Sequence, residues 1–210
     1  MKSNLYYVHD PMCSWCWGFT ESFNNLLAAL PAEINIIRLL GGLAPDTESV
    51  MPETMQQNIQ NNWLRIEDSI AGVKFNFDFW ENNIPRRSTY PACRAVIAAR
   101  LQGEKYDVLM TKAIQRAYYQ EARNPSDNIT LIELAIELGL EKDKFEKDLN
   151  STNVEHELQQ EISLARDLFV ESYPNLVLVT EDNINSIKLD YINSNSMLRT
   201  INGYLVNNIQ

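Results

Sequence analysis

The sequence predicts an α/β fold in which a small mixed domain is interrupted by a large all-helical insertion. Three observations carry this reading. Residues 4 to 42 read strand, helix, strand; residues 46 to 152 hold only helical periodicity; the remainder returns to mixed strands and helices. The expected division is one discontinuous domain, 1–45 with 153–210, and an insertion over 46–152.

Each element follows from a local pattern. Leu5 to Val8 is short, apolar and aromatic, as a buried strand is. From Phe19 the apolar residues Phe23, Leu26, Leu27 and Leu30 keep one helical face, and Pro31 stops that helix. Ile34 to Leu40 is a second strand closed by Gly41-Gly42, so the three elements form a right-handed βαβ unit. Pro52 opens a helix with Met55, Ile59, Trp63, Ile66 and Ile70 inward. Pro91 opens another that ends at Gly103. Tyr106 to Ala122 is a third, with Leu109, Met110, Ala113, Ile114 and Ala117 inward. Thr130 and Glu133 have the spacing of a capping box before Leu134 to Leu138, Gly139 ends that helix, and Phe145 and Leu149 mark a short one.

Val154 to Val170 is expected to be helical, with Leu158, Ile162, Ala165 and Phe169 on one face, broken by Ser172-Tyr173-Pro174. Leu176 to Val179 is a fully apolar strand. Glu181-Asp182-Asn183 turns it back into a strand over Ile184 to Leu189, and Ser194 caps a final helix with Met197, Leu198, Ile201 and Leu205.

Composition narrows the function classes. The 210 residues suffice for a sizeable core. Lys and Arg number 18 against 28 Asp and Glu, a net charge of −10 with no basic stripe. Neither nucleic acid nor an anionic membrane is an expected partner. The run Leu5 to Val8 behind Met1-Lys2-Ser3-Asn4 is too short for a secretory signal, and no window is long and apolar enough to span a membrane. The expected compartment is the cytoplasm, where a close cysteine pair is catalytic or metal-binding rather than a structural disulfide.

The strongest chemical signal is Cys13-Ser14-Trp15-Cys16, just past the first strand and at the start of a helix. Three cysteines placed at random give this spacing in only roughly 3% of chains this long. Two intervening residues in a first helical turn bring the sulfurs within bonding reach. Cys13 lies where free N–H groups and the helix dipole stabilise a thiolate. It is expected to be exposed, and Cys16, one turn in, protected. Two unreactive core cysteines, or half of a zinc site drawing on Cys93, His9 and His156, are the competing readings. The spacing favours a redox dithiol.

The segment HDPMCSWCWGF resembles the active-site segment of the DsbA-like thioredoxin-fold oxidoreductases, in particular their cytoplasmic protein-disulfide-isomerase branch related to FrnE. The likeness extends to LLGGLAP (39–45), STYPACRAVIAAR (88–100), QRAYYQEARNPSD (115–127) and SYPNLVLV (172–179), and so to nearly the whole chain. It implies a thioredoxin-like fold with a large helical insertion, a catalytic pair Cys13 and Cys16, and redox tuning by Ser14 and Trp15. It also implies a cis-proline facing the dithiol. Pro174 fits that place, with Tyr173 and Pro174 forming a substrate ledge; a bulky Tyr173 departs from the small or β-branched residue common there. No metal or organic cofactor is implied. The partners implied are disulfide-containing proteins or small thiols and a further redox partner.

Other residues are weaker candidates. Cys93 is read as a packing cysteine or a third thiol, His9 as a strand-end residue with a structural partner or a group polarising Cys13. Glu21 is a candidate proton acceptor for Cys16, Trp17 a core residue, and Trp15 an exposed substrate contact. The alternative function is a glutathione-dependent transferase or isomerase of the kappa-class type, against which the presence of both Cys13 and Cys16 argues. A third reading is a binding module without catalysis.

Overall fold

The computed structural model describes residues 3–181 and 183–207. Met1, Lys2 and Asp182, which enter the N-terminal and hairpin readings above, lie outside the described residues. A four-stranded sheet of order β2-β1-β3-β4 is built from β1 (Ser3–His9), β2 (Ile34–Leu40), β3 (Asn175–Val179) and β4 (Ile184–Ile187). Strands β1 and β2 are parallel, with Leu5 opposite Ile36 and His9 opposite Leu40. β3 runs antiparallel to β1, with Leu178 opposite Leu5, and β4 is antiparallel to β3. This is the thioredoxin-like arrangement that the resemblance implies.

Both faces of the sheet are covered, which is why its central strands read as apolar runs. On one face Leu5, Tyr7, Ile34, Leu176 and Leu178 pack on α1 (Ser14–Ala29) and α9 (Ser194–Asn207) through Phe19, Phe23, Leu26, Met197 and Ile201. On the other, Val8, Leu39 and Val177 meet Ala165, Leu168 and Val170 at the end of α8 (Thr152–Asp167). Odd and even positions of β1 thus serve opposite layers, as period-2 alternation requires.

Between β2 and α8 lie α2 (Glu53–Ser69), α3 (Phe79–Asn82), α4 (Tyr90–Arg100), α5 (Lys105–Tyr119), α6 (Asn128–Glu137) and α7 (Lys142–Leu149). Their core centres on Trp63, ringed by Phe75, Phe79, Tyr118 and Tyr119, and on the wholly buried run Ala95 to Ala99 of α4. It is continuous with Met12 and Leu40 of the sheet region. Among the described residues no helix is long and apolar enough to cross a membrane.

Several local expectations are corrected. Helix α6 starts at Asn128 with Asp127 at its N-cap, so Thr130 is inside the helix and buried, while Glu133 pairs with Arg123 at 3.0 Å; there is no capping box. Leu109 and Met55 are exposed. The inward face of α5 runs through Met110, Ala113, Ile114, Ala117 and Tyr118, and Leu109 falls a 100° step to its side. Phe169 is 80% exposed, because α8 ends at Asp167 and Phe169 takes a left-handed conformation (φ 59°). Phe169 N donates to Arg166 O and Val170 N to Ala165 O, a Schellman closure that turns Leu168 and Val170 inward instead. Strand β4 ends at Ile187, not Leu189. The cap of α9 is Asn193, whose Oδ1 accepts from Asn195 N at 3.2 Å; Ser194 is already helical.

Candidate active site

Cys13 is the N-cap residue of α1 (φ −83°, ψ 114°), and its Sγ accepts a hydrogen bond from Cys16 N at 3.3 Å. The sulfur therefore takes the place a serine or aspartate oxygen usually holds at a helix start. The loop before it is tied by Cys13 N donating to Asp10 O at 3.1 Å. From the opposite side the thiol donates to the carbonyl of Tyr173 at 3.4 Å. The Tyr173–Pro174 bond is cis, and the structure brings it against Cys13 as expected.

The two cysteines differ in environment. Cys13 is 6% exposed and Cys16 not at all. The expectation of an exposed Cys13 is thus corrected: the Tyr173 main chain closes over the sulfur and leaves a narrow window. Burial, then the neighbouring Cys13 sulfur, pushes the Cys16 thiol well above its ordinary value. Cys16 is a thiol in this environment until something takes its proton.

Tyr173 is fixed by its other end. Its hydroxyl donates to Gly41 O at 2.7 Å, and its ring packs against Gly41, where a Cβ would fall 2.1 Å from Cε1. Gly41 N in turn donates to His9 O at 2.7 Å, so the end of β1, the exit of β2 and the Tyr173 turn are one unit.

An open groove of about 500 Å³ runs beside the dithiol, lined by Trp15, Tyr173, Pro174, Asn175, Leu189 and Tyr191. Trp15 is only partly exposed: its ring meets Tyr191 edge-on at 5.3 Å, and the Arg65 guanidinium sits 5.7 Å from its centroid. Ser14 is likewise half-buried. Trp17, expected in the core, is partly buried and stacks on Tyr119 at 5.7 Å.

Sequence reasoning missed Asp10. This fully buried carboxylate accepts from Met12 N (2.8 Å), Leu43 N (2.7 Å), the Thr89 hydroxyl (2.6 Å) and the Cys93 thiol (3.5 Å). Burial raises its pKa, and the bonds from Thr89, Leu43 and Met12 work against that rise. A charged residue directly after an apolar strand and before Pro11 was the available signal. Cys93 belongs to this cluster and not to the dithiol; burial and then the Asp10 charge push its thiol well up.

His9 has the structural role. It stacks on Tyr7 at 4.8 Å, and its Nε2 lies 3.1 Å from Arg38 Nη2. Burial, then Arg38 and Arg100, hold its pKa well below the usual value, so the ring is neutral and accepts from Arg38. Neither His9 nor the exposed Glu21 hydrogen-bonds to a cysteine among the described residues. Among those residues no group of three or more His, Cys, Asp or Glu is arranged to hold a metal ion.

Comparison with known proteins adds three findings. A family model described as Thioredoxin matches residues 6–199. Curated relatives include the ClpXP adapter protein SpxH of Bacillus subtilis, 26% identical over 173 residues, covering 82% of this chain and 56% of that protein. SpxH of Halalkalibacterium halodurans is 22% identical, covering 85% and 59%. The chain thus spans a little over half the length of these relatives. Among solved structures, a "putative protein disulfide isomerase" from Nitrosomonas europaea superposes with TM-score 0.83 at 26% identity, over 99% of both chains. The cytosolic disulfide reductase DsbM of Pseudomonas aeruginosa superposes at 0.71 and 22% identity, over 98% of both, a likeness of fold.

Proposed function

The chain belongs to the thioredoxin family, and from that premise we propose that it is a thiol–disulfide oxidoreductase acting through Cys13 and Cys16. The observation that carries this reading is the placement of the Cys13 sulfur. It caps the helix that holds Cys16 and faces the Tyr173 carbonyl across the site. The Cys13 thiolate attacks one sulfur of a substrate disulfide; that S–S bond breaks, and one half of the substrate leaves as a thiolate. Cys16 gives up its proton and attacks the Cys13 sulfur, so the second half leaves. Two electrons have passed to the substrate, and a Cys13–Cys16 disulfide remains for an external dithiol to reduce. Ser14 and Trp15 set the potential of that pair. The Tyr173–Pro174 turn and the groove beside it take the substrate, a disulfide-bearing protein or small thiol. The proposed compartment is the cytoplasm, and the proposed division of the chain is 1–45 with 153–210 around an insertion, 46–152.

The test is trapping. Cys16→Ser protein mixed with insulin should accumulate a mixed disulfide on Cys13, read by intact mass, while Cys13→Ser should form no adduct and reduce nothing. Normal multi-turnover reduction by Cys16→Ser would exclude the dithiol mechanism.

One observation favours a second reading. The curated relatives are named as ClpXP adapter proteins, so the groove could serve to hold a protein partner without turnover. Absence of disulfide exchange in the wild-type protein, with both thiols free, would favour that reading. The kappa-class alternative is not favoured, since the solved relatives named above are disulfide enzymes by their own descriptions.

A further inference from the structure

A second pocket, of about 420 Å³, shares no residue with the groove beside Cys13. It lies between α1, α5 and the edge of the sheet at β2. Its size is within the range of small-ligand sites. The walls are apolar: Phe23 and Leu27 from α1, Ile36 from β2 and Val108 from α5. Its charged groups are of one sign. Arg38 and Lys112 line it and no carboxylate does, in a chain whose net charge is −10.

Two polar side chains reach the pocket without a protein partner among the described residues. Gln115 is only 4% exposed, lines the pocket, and its side-chain amide makes no hydrogen bond among the described residues. Its amide atoms are not among the buried polar atoms left without a partner, so they reach the solvent of the pocket and are open to an entering acceptor. Lys112, one turn away on α5, has no carboxylate partner among the described residues. Arg38 spends Nε on Asp107 (2.6 Å) and Nη2 on His9 (3.1 Å), so its charge is largely balanced by that carboxylate and Lys112 is the cation left for a ligand.

We propose that this pocket binds a monocarboxylate with an apolar body. The body lies against Phe23, Leu27, Ile36 and Val108, and the carboxylate takes hydrogen bonds from the Lys112 ammonium and the Gln115 amide NH₂. The inference does not rest on the redox reading. It bears on the same helix, because Thr20, which also lines the pocket, donates to Cys16 O at 3.3 Å.

The test uses octanoate as the probe and octanol as its neutral counterpart, by isothermal titration calorimetry on the full chain. Octanoate should saturate one site and bind roughly two- to fivefold tighter than octanol, the factor expected of one partly exposed ion pair. Lys112→Glu should weaken octanoate by about fivefold or more and leave octanol unchanged; Lys112 is exposed, so the fold tolerates the change. Val108→Trp, at a partly exposed position, should fill the pocket and abolish binding of both. Backbone amide shifts should move at Asn24 and Gln115 and not at Asn175. Heats that do not saturate, equal affinity for octanoate and octanol, or binding untouched by Val108→Trp each overturn the proposal. So does a shift pattern centred on Trp15 and Asn175, which would place the probe in the other groove.

Discussion

Replacing Gly41 with alanine tests how the site is held. The added Cβ would lie 2.1 Å from Tyr173 Cε1, 2.3 Å from Cζ and 2.7 Å from Cδ1. Carbon atoms rest at about 3.5–4.0 Å, so the ring must withdraw by more than about 1 Å. Its hydroxyl then leaves Gly41 O, at present 2.7 Å away. Overpacking costs about 1–3 kcal/mol, and a lost hydrogen bond about 0.5–1.5 kcal/mol. The ring is partly exposed and can swing toward solvent, so the lower part of the first range applies. A loss of about 1–2 kcal/mol lowers Tm by roughly 2–8 °C for a chain of this size. The Tyr173 carbonyl that faces Cys13 moves with the ring, so insulin reduction should fall as well. A double-mutant cycle isolates the cause. In a Tyr173→Ala background the ring is gone, and Gly41→Ala should cost at least about 1 kcal/mol less than it does alone. Thermal unfolding by circular dichroism on the four proteins measures this. A Gly41→Ala protein that melts with the wild type, or one that loses the same amount in both backgrounds, refutes the coupling.

Two further outcomes follow from buried charge. His9 has a folded pKa well below 6.5, so as pH falls through 6.5 the unfolded chain takes a proton that the fold does not. Stability from this source is fully present above 6.5 and declines below it by up to about 1.4 kcal/mol per pH unit until the folded pKa is reached. Urea midpoints at pH 7.5 and 5.5 should therefore differ less for His9→Asn than for wild type. Asp10 and Glu161, whose pKa values are raised by burial, act with the opposite sign and are common to both proteins. Arg100→Gln leaves Glu161 and part of Asp107 buried without their cation, a loss of about 3–5 kcal/mol. Its Tm should drop by roughly 6–20 °C; a drop under 2 °C would mean that the pair is solvated.

The fold was legible where patterning and punctuation agree. The βαβ start reads directly, because apolar spacing switches from strand to helix at Cys13 and Pro31 marks the far end. Gly139 ends its helix as read, with φ 75° and Gly139 N donating to Ile136 O. What failed were caps and facing. Thr130 and Glu133 have capping-box spacing, but Asp127 precedes them and the helix takes the earlier start. Phe169 continues the apolar stripe of α8 in sequence, yet the chain turns left-handed there and exposes it. The Cys13 and Cys16 pair was legible from its spacing and its place at a helix start, the Tyr173–Pro174 turn only through the resemblance. Asp10 was not, because its partners Leu43, Thr89 and Cys93 come from segments far apart in sequence.

Those partners indicate what the central helices do for the site. Arg38 on β2 bonds Asp107 of α5 at 2.6 Å; Asp107 bonds Arg100 of α4 at 3.1 Å; Arg100 holds Glu161 of α8. Glu161 then accepts from Leu40 N at 2.6 Å, the last residue of β2 and the neighbour of Gly41. Charges that deep are costly and persist only when each is paired. The chain of pairs starts and ends on β2, so it fixes the exit of that strand to three helices at once. Asp10 fixes the other side, binding Leu43 N beyond Gly41-Gly42 and Thr89 before α4. The turn that receives the Tyr173 ring is thus clamped from both flanks. Mobility there would carry Tyr173 O away from the Cys13 sulfur, so the helices act on the dithiol by holding Gly41 still.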